Sequence, residues 1–221
     1  MKKQILLLSF IALSTFSFAQ SRTTFGVRGG VTSSSMSGDA VNNLQDLLDF
    51  ANGMVTTSDR KGFYAGAYTN IPITENFSIE PAAYYSQKGY QMRGALNVKG
   101  MEFLGVNAKA ELQHQYIDIP VLLKANLSGF EIFAGPQVSF LVNSDLRTSA
   151  GVFGFNFIDR KMDASDQFNK LDAGVTGGIG YQFSNGLNLM ASYDHGLTKV
   201  DANRNVDSYN RSFKVGLGFK F

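Results

Sequence analysis

The segment Tyr209-Asn210-Arg211-Ser212-Phe213-Lys214-Val215-Gly216-Leu217-Gly218-Phe219-Lys220-Phe221 decides how the rest of the sequence is read. Its odd-numbered positions are Tyr, Arg, Phe, Val, Leu, Phe and Phe, whereas its even-numbered positions are Asn, Ser, Lys, Gly, Gly and Lys. Successive side chains of a strand point to opposite faces, so this period of two marks a β-strand lying between two unlike environments. At roughly 3.3 Å per residue, about ten such residues tilted near 45° cross a hydrocarbon layer.

Working back from this strand, seven more alternating segments are predicted, at about 23–33, 62–71, 77–88, 112–126, 130–142, 170–183 and 187–198. The gaps between the eight alternate in length, at about 28, 5, 23, 3, 27, 3 and 10 residues. Long loops at one end and tight turns at the other predict an all-β chain: an eight-stranded antiparallel up-and-down transmembrane β-barrel with short periplasmic turns, long extracellular loops and both termini periplasmic. Three prolines, Pro81, Pro120 and Pro136, fall inside these strands. Each removes a ladder hydrogen bond, so in a barrel without edges they are expected at bulges.

The first residues supply an export route. Lys2 and Lys3 precede an apolar run from Ile5 to Phe18, and Ser17-Phe18-Ala19 places small residues where a signal peptidase inspects. Residues 1–19 are therefore expected to be a cleaved signal peptide and residues 20–221 a single barrel domain. Of the 20 Lys and Arg, two lie in that segment, so the remainder carries eighteen basic and eighteen acidic residues. No nucleic-acid partner is implied by such a balance. There is no Cys, which excludes disulfides, thiolate metal sites, thiol catalysis and a lipoprotein cysteine.

Parity divides the strands into two faces. One carries Phe213, Val215, Leu217, Phe219 and Phe221, with Ile117, Ile119, Val121 and Leu123 on another strand, and is predicted to face the membrane. The other carries Arg28, Glu80, Asp118, Lys124, Glu131 and Lys214, together with Asp172 and Asp194, and is predicted to form a polar barrel interior. Alternation alone leaves open a soluble lipocalin-like barrel with the faces inverted. Glycine favours the membrane reading, because Gly26, Gly30, Gly135, Gly174, Gly178, Gly180, Gly216 and Gly218 share the charged face. Glycine weakens a water-facing strand, but small residues and paired charges suit the inside of a narrow barrel. The glycine-rich inner faces of the sixth and eighth segments are places for a cavity.

The segments Tyr116-Ile117-Asp118-Ile119-Pro120-Val121-Leu122-Leu123-Lys124, Ala134-Gly135-Pro136-Gln137-Val138-Ser139-Phe140-Leu141, Asp172-Ala173-Gly174-Val175-Thr176-Gly177-Gly178-Ile179-Gly180-Tyr181 and Ser192-Tyr193-Asp194-His195-Gly196-Leu197 resemble, in order, the PorT-like outer-membrane β-barrel family common in Bacteroidota. The final Phe221 also resembles the terminal aromatic residue that the insertion machinery reads on such barrels. The resemblance covers nearly all of the chain after residue 19. It implies the eight-stranded fold and treats Pro120 and Pro136 as family features. The family is functionally broad: its named member assists a protein secretion system, and that role does not follow from the fold.

Residues that carry chemistry are sparse. His114 and His195 are the two histidines, and although Ser192, Asp194 and His195 are close in sequence, strand parity turns His195 away from the other two. No metal-loop spacing or phosphate-binding glycine turn occurs, and Asp159, Asp163 and Asp166 read as solvated loop charges beside Arg160 and Lys161. No cofactor, metal site or catalytic residue is expected. The loops offer more. Leu44 and Leu48 belong to a helically spaced run from Val41 to Ala51, and Phe153, Phe155 and Phe157 lie on one side of an alternating stretch that would extend the sheet above the membrane.

The expectation is a non-enzymatic outer-membrane barrel with a structural or surface-interaction role. Its expected partners are outer-membrane lipid, the barrel-assembly machinery during insertion, and an unidentified protein or surface ligand at the loops. An outer-leaflet lipid-modifying enzyme, a narrow channel and the soluble binding barrel are the alternatives.

Overall fold

The computed structural model describes residues 23–38, 55–96, 106–152, 155–202 and 207–221. The expected leader at 1–19, the helical run with Leu44 and Leu48, and Phe153 lie outside these residues. The strands are β1 (Thr24–Ser37), β2 (Val55–Pro72), β3 (Phe77–Leu96), β4 (Val106–Leu127), β5 (Phe130–Val152), β6 (Phe155–Asp163), β7 (Leu171–Gln182), β8 (Leu187–Gly196) and β9 (Tyr209–Lys220).

Eight of the nine form a closed barrel. Antiparallel ladders join β1 to β2, β2 to β3, β3 to β4, β4 to β5, β5 to β7, β7 to β8 and β8 to β9, and β9 returns to β1 with Lys220 opposite Gly26. Closure satisfies every edge, the condition under which strands can stand in an apolar medium. One end carries short connections: Ile73–Asn76, Ser128–Gly129 and Phe183–Gly186. Ser128 (φ 55°) and Gly129 (φ 94°) both take left-handed backbone, the conformation that matches a two-residue hairpin to strand twist. The Asn126 Oδ1 accepts a 3.1 Å hydrogen bond from the Gly129 N–H and holds that turn.

At the opposite end the strands run beyond the eight predicted segments. Beyond the barrel, β2, β3, β4 and β5 continue, and β6 pairs with the upper part of β5 from Asp145/Asp163 to Val152/Phe155, forming a projecting five-stranded sheet. Phe155 and Phe157 lie in β6, in the stretch read as an extension of the sheet. Register shifts fall between Asp59 and Tyr64 of β2 and between Gln115 and Tyr116 of β4, near the levels where the projection leaves the barrel. A bulge adds local twist and bend, which is what such a change of course requires.

The prolines do not sit at bulges. Pro81 pairs with Val121 and Pro120 with Gln137, and the register on either side of each is unchanged. The β3–β4 ladder is instead interrupted between Pro81/Val121 and Tyr84/Asp118, so lost hydrogen bonds are absorbed as a gap rather than as an extra residue.

On β9 burial alternates with the sequence: Asn210, Ser212, Lys214, Gly216 and Gly218 are buried, and Phe213, Val215, Leu217 and Phe219 are exposed. Ile119, Val121 and Leu123 are likewise exposed on β4, with Ile117 half-buried, and Phe221 is exposed beyond β9. Val215 is 37% exposed and Leu217 is 56% exposed on this outer apolar band. Replacing either by Arg is expected to cost about 2–4 kcal/mol for a charge at a bilayer midplane. The check is the fraction of each variant recovered folded from the outer membrane, with a Lys214-side neighbour such as Ser212→Thr as an inward-facing control.

Candidate functional site

The barrel interior is built from side chains that alternate with the apolar outer band, so the same period of two fills both faces. Arg28, Glu80, Asp118, Lys124, Glu131 and Lys214 all lie inside and are buried. They form two layers.

In the layer nearer the short turns, the Arg28 Nη1 is 2.7 Å from Glu80, and the Lys124 Nζ is 2.8 Å from Glu80 and 2.9 Å from Glu131. Arg28 also donates to the Tyr84 hydroxyl at 2.7 Å and lies 4.2 Å above the Tyr68 ring. Asn188 accepts from Arg28 Nε at 3.4 Å and donates to the Tyr68 hydroxyl at 2.7 Å. Buried charges are tolerated when paired and hydrogen-bonded, and every member here has a partner.

In the layer above, Asp118 receives Lys214 at 2.8 Å, Lys88 at 2.9 Å and the Ser86 hydroxyl at 2.6 Å. Lys214 also reaches Asp194 at 2.7 Å. Four strand steps separate β9, which carries Lys214, from β4, which carries Asp118, in either direction around the barrel. The ion pair therefore crosses the lumen. Lys88 is a member that sequence parity missed because it stood at the edge of its predicted strand.

Four tyrosines, Tyr64, Tyr68, Tyr84 and Tyr116, also point inward. Their rings occupy the room that glycine leaves. A Cβ at Gly26 would stand 2.3 Å from the Tyr68 ring, one at Gly216 2.0 Å from the Tyr64 hydroxyl, and one at Gly178 2.7 Å from Phe133. The predicted cavity over the glycine-rich seventh and ninth strands is consequently filled at Gly178 by Phe133 and at Gly216 by Tyr64. A cavity of about 170 Å³ does open at the turn end, between Glu80, Lys124, Glu131 and the Ile73–Asn76 connection.

At the other end the connection from β6 to β7 folds back over the mouth. Its 3-10 turn, Ser165–Gln167, is tied down by the Ser144 N–H donating to the Ser165 hydroxyl at 2.9 Å. The Phe168 ring then lies 4.5 Å from the His114 ring. His114 is wholly buried and faces Ser144 across the β4–β5 ladder, yet both ring nitrogens and the Ser144 hydroxyl lack hydrogen-bond partners. Ser192 and Asp194 are buried and His195 alternates to the other face, so these three side chains do not converge. Among the described residues no group of three His, Cys, Asp or Glu side chains forms a metal site. On the projecting sheet, hydrogen bonds from the Arg147 guanidinium hold the Asp159 carboxyl below the usual carboxylate range, and Asp163 accepts from the Ser165 N–H.

These contacts carry two expected outcomes. Asp118→Asn leaves Lys88 and Lys214 short of a buried anion and should lower unfolding stability in detergent by about 3–5 kcal/mol, against about 1 kcal/mol for Ser139→Ala. Gly216→Ala should cost about 1–3 kcal/mol by overpacking, and combining it with Tyr64→Phe should restore part of the loss, since the clashing atom is the Tyr64 hydroxyl. Urea midpoints of the four variants give the comparison.

Residues 18–202 match the family described as outer membrane protein beta-barrel domain. No curated protein matches. Among solved structures, similarity is found to Neisserial surface protein A (14% identity, 91% of this chain and 100% of that one, TM-score 0.48). It extends to the attachment invasion locus protein Ail of Yersinia pestis (11% identity, 91% and 100%, TM-score 0.47). The outer membrane protease OmpT of Escherichia coli is also similar (12% identity, 93% and 98%, TM-score 0.43). With the family match spanning most of the sequence and the pairing closing eight strands, the chain belongs to the outer membrane protein beta-barrel domain family and is a small outer-membrane barrel.

Proposed function

We propose that this barrel is a sealed, non-enzymatic scaffold of the PorT-like kind that works through the surface it displays. The observation that carries this reading is the Lys214–Asp118 pair, which ties opposite walls of the lumen together, with Phe168 lying over His114 above it. An eight-stranded barrel encloses a space that side chains just fill, and here they are cross-linked by charge. The short turns and both termini are assigned to the periplasm, and the projecting sheet with the long loops to the cell exterior. Lipid surrounds the apolar band, the assembly machinery acts on β9 during insertion, and a protein or surface ligand binds at the loops.

The natural absence of Cys makes the orientation directly testable. Asp159→Cys on β6 and Thr74→Cys in a short turn are labelled in intact cells with a membrane-impermeant maleimide. Labelling of the first and not the second is expected; the reverse pattern overturns the assignment. In planar bilayers the purified barrel should give no steady conductance.

One observation favours an enzymatic second reading, namely that His114 and Ser144 are register partners with unsatisfied polar atoms. Burial beneath Phe168 argues against substrate access. His114→Ala should accordingly leave the composition of the host's outer-leaflet lipid unchanged.

A further inference from the structure

The upper layer of the interior has more oxygen acceptors than donors. Asp172 on β7, Asp194 on β8 and Asn210 on β9 are 6%, 5% and 4% exposed, and in each the Oδ1 atom has no hydrogen-bond partner. All three residues line one small cavity of about 10 Å³. Their remaining polar atoms are engaged elsewhere. The Asp172 Oδ2 accepts from Asn210 Nδ2 at 2.8 Å, and the Asp194 Oδ2 accepts from Lys214 at 2.7 Å and from Gln137 at 3.4 Å. Asn210 also donates to the Tyr116 hydroxyl at 3.3 Å, which fixes its amide with the oxygen left over.

Two inward glycines on neighbouring strands, Gly174 and Gly196, stand opposite one another and border this cavity. A Cβ at Gly196 would come within 3.3 Å of Asp172 Oδ1. Charge is also unbalanced here. The lower layer sets Arg28 and Lys124 against Glu80 and Glu131, whereas the upper layer sets Lys88 and Lys214 against Asp118, Asp172 and Asp194. Lys88 borders the cavity too, but it is committed to Asp118 at 2.9 Å and to the Ser139 hydroxyl at 3.1 Å.

We propose that this cavity binds one sodium-sized monovalent cation, held by the Oδ1 atoms of Asp172, Asp194 and Asn210. A space of this order holds a single water-sized occupant. Unpartnered carboxylate and amide oxygens are ligands for a hard cation. Calcium takes six to eight oxygens and magnesium retains a shell of waters, and neither fits the space. One positive charge cancels the excess of the layer, which removes the penalty of an unpaired buried anion. Because the three ligands come from three consecutive staves, the ion would pin β7, β8 and β9 to one another from inside.

The test uses the mature barrel extracted in detergent, with the temperature at which its folded gel band is lost as the readout. At pH 8 and constant ionic strength, sodium chloride replaces choline chloride stepwise. A saturable rise of several degrees is expected, since a ligand bound only by the folded state stabilises it by mass action. Potassium, being larger, should give a smaller rise. Asp172→Asn should melt alike in both salts, and Asn210→Asp should depend on sodium more steeply than the natural chain. Equal melting of the natural barrel in sodium and choline overturns the proposal. So does stability that falls as pH rises from 6 to 9, is lost in Asp172→Asn and ignores sodium, because the charge would then be cancelled by a proton on Asp172. If Asp172→Asn fails to fold, the salt series on the natural chain and on Asn210→Asp still decides.

Discussion

The fold depends on an electrostatic constraint inside the barrel. A closed ring of eight strands leaves no edge for water to solvate, so every ionised group turned inward must find its counter-charge across a lumen a few side chains wide. Lys214 meets this by reaching Asp118 on the far wall and Asp194 on the adjacent strand at once. Around that contact the other choices follow. Lys88 completes Asp118, the tyrosines fill the volume the ion pairs leave, and Gly26 and Gly216 make room for Tyr68 and Tyr64.

Much of this was legible in the residues. Alternation of Phe213, Val215, Leu217 and Phe219 with Ser212, Lys214, Gly216 and Gly218 states the strand, its two faces and its membrane-spanning length without reference to any partner. Shared parity put Arg28, Glu80, Asp118, Lys124, Glu131 and Lys214 on one face, and all are buried. What escaped was non-local. Tyr68 has an apolar ring and a polar tip and suits either face, and only the absence of a side chain at Gly26 on the neighbouring strand gives its ring a place indoors. The positions of the prolines were misread for a related reason: a missing hydrogen bond can be met by a bulge or by a gap, and local sequence does not distinguish them.

The projecting sheet marks a second boundary of what pattern can tell. Above the register shifts at Asp59/Tyr64 and Gln115/Tyr116 the backbone pairing persists beyond the segments whose alternation marks the barrel. There, pairing rests on ladder hydrogen bonds and on surface ion pairs such as Arg147 with Asp159, individually weak and open to salt. Barrel and projection are thus one continuous sheet in two physical regimes, the first stabilised by burial and closure and the second by length.

The hairpin around Ser128 and Gly129 has a temporal meaning as well. Its two strands are the longest in the barrel and meet through a two-residue turn whose left-handed backbone brings them into register locally. The seam between β1 and β9, by contrast, joins Gly26 to Lys220 across nearly the whole chain. Loop-closure entropy rises with the length enclosed and local contacts form first, so assembly should nucleate at the β4–β5 hairpin and the seam should be the last ladder to zip. Until it does, the incomplete sheet presents two unsatisfied margins, and the time spent in that state is governed by β9, the strand that also delivers Lys214 to the interior.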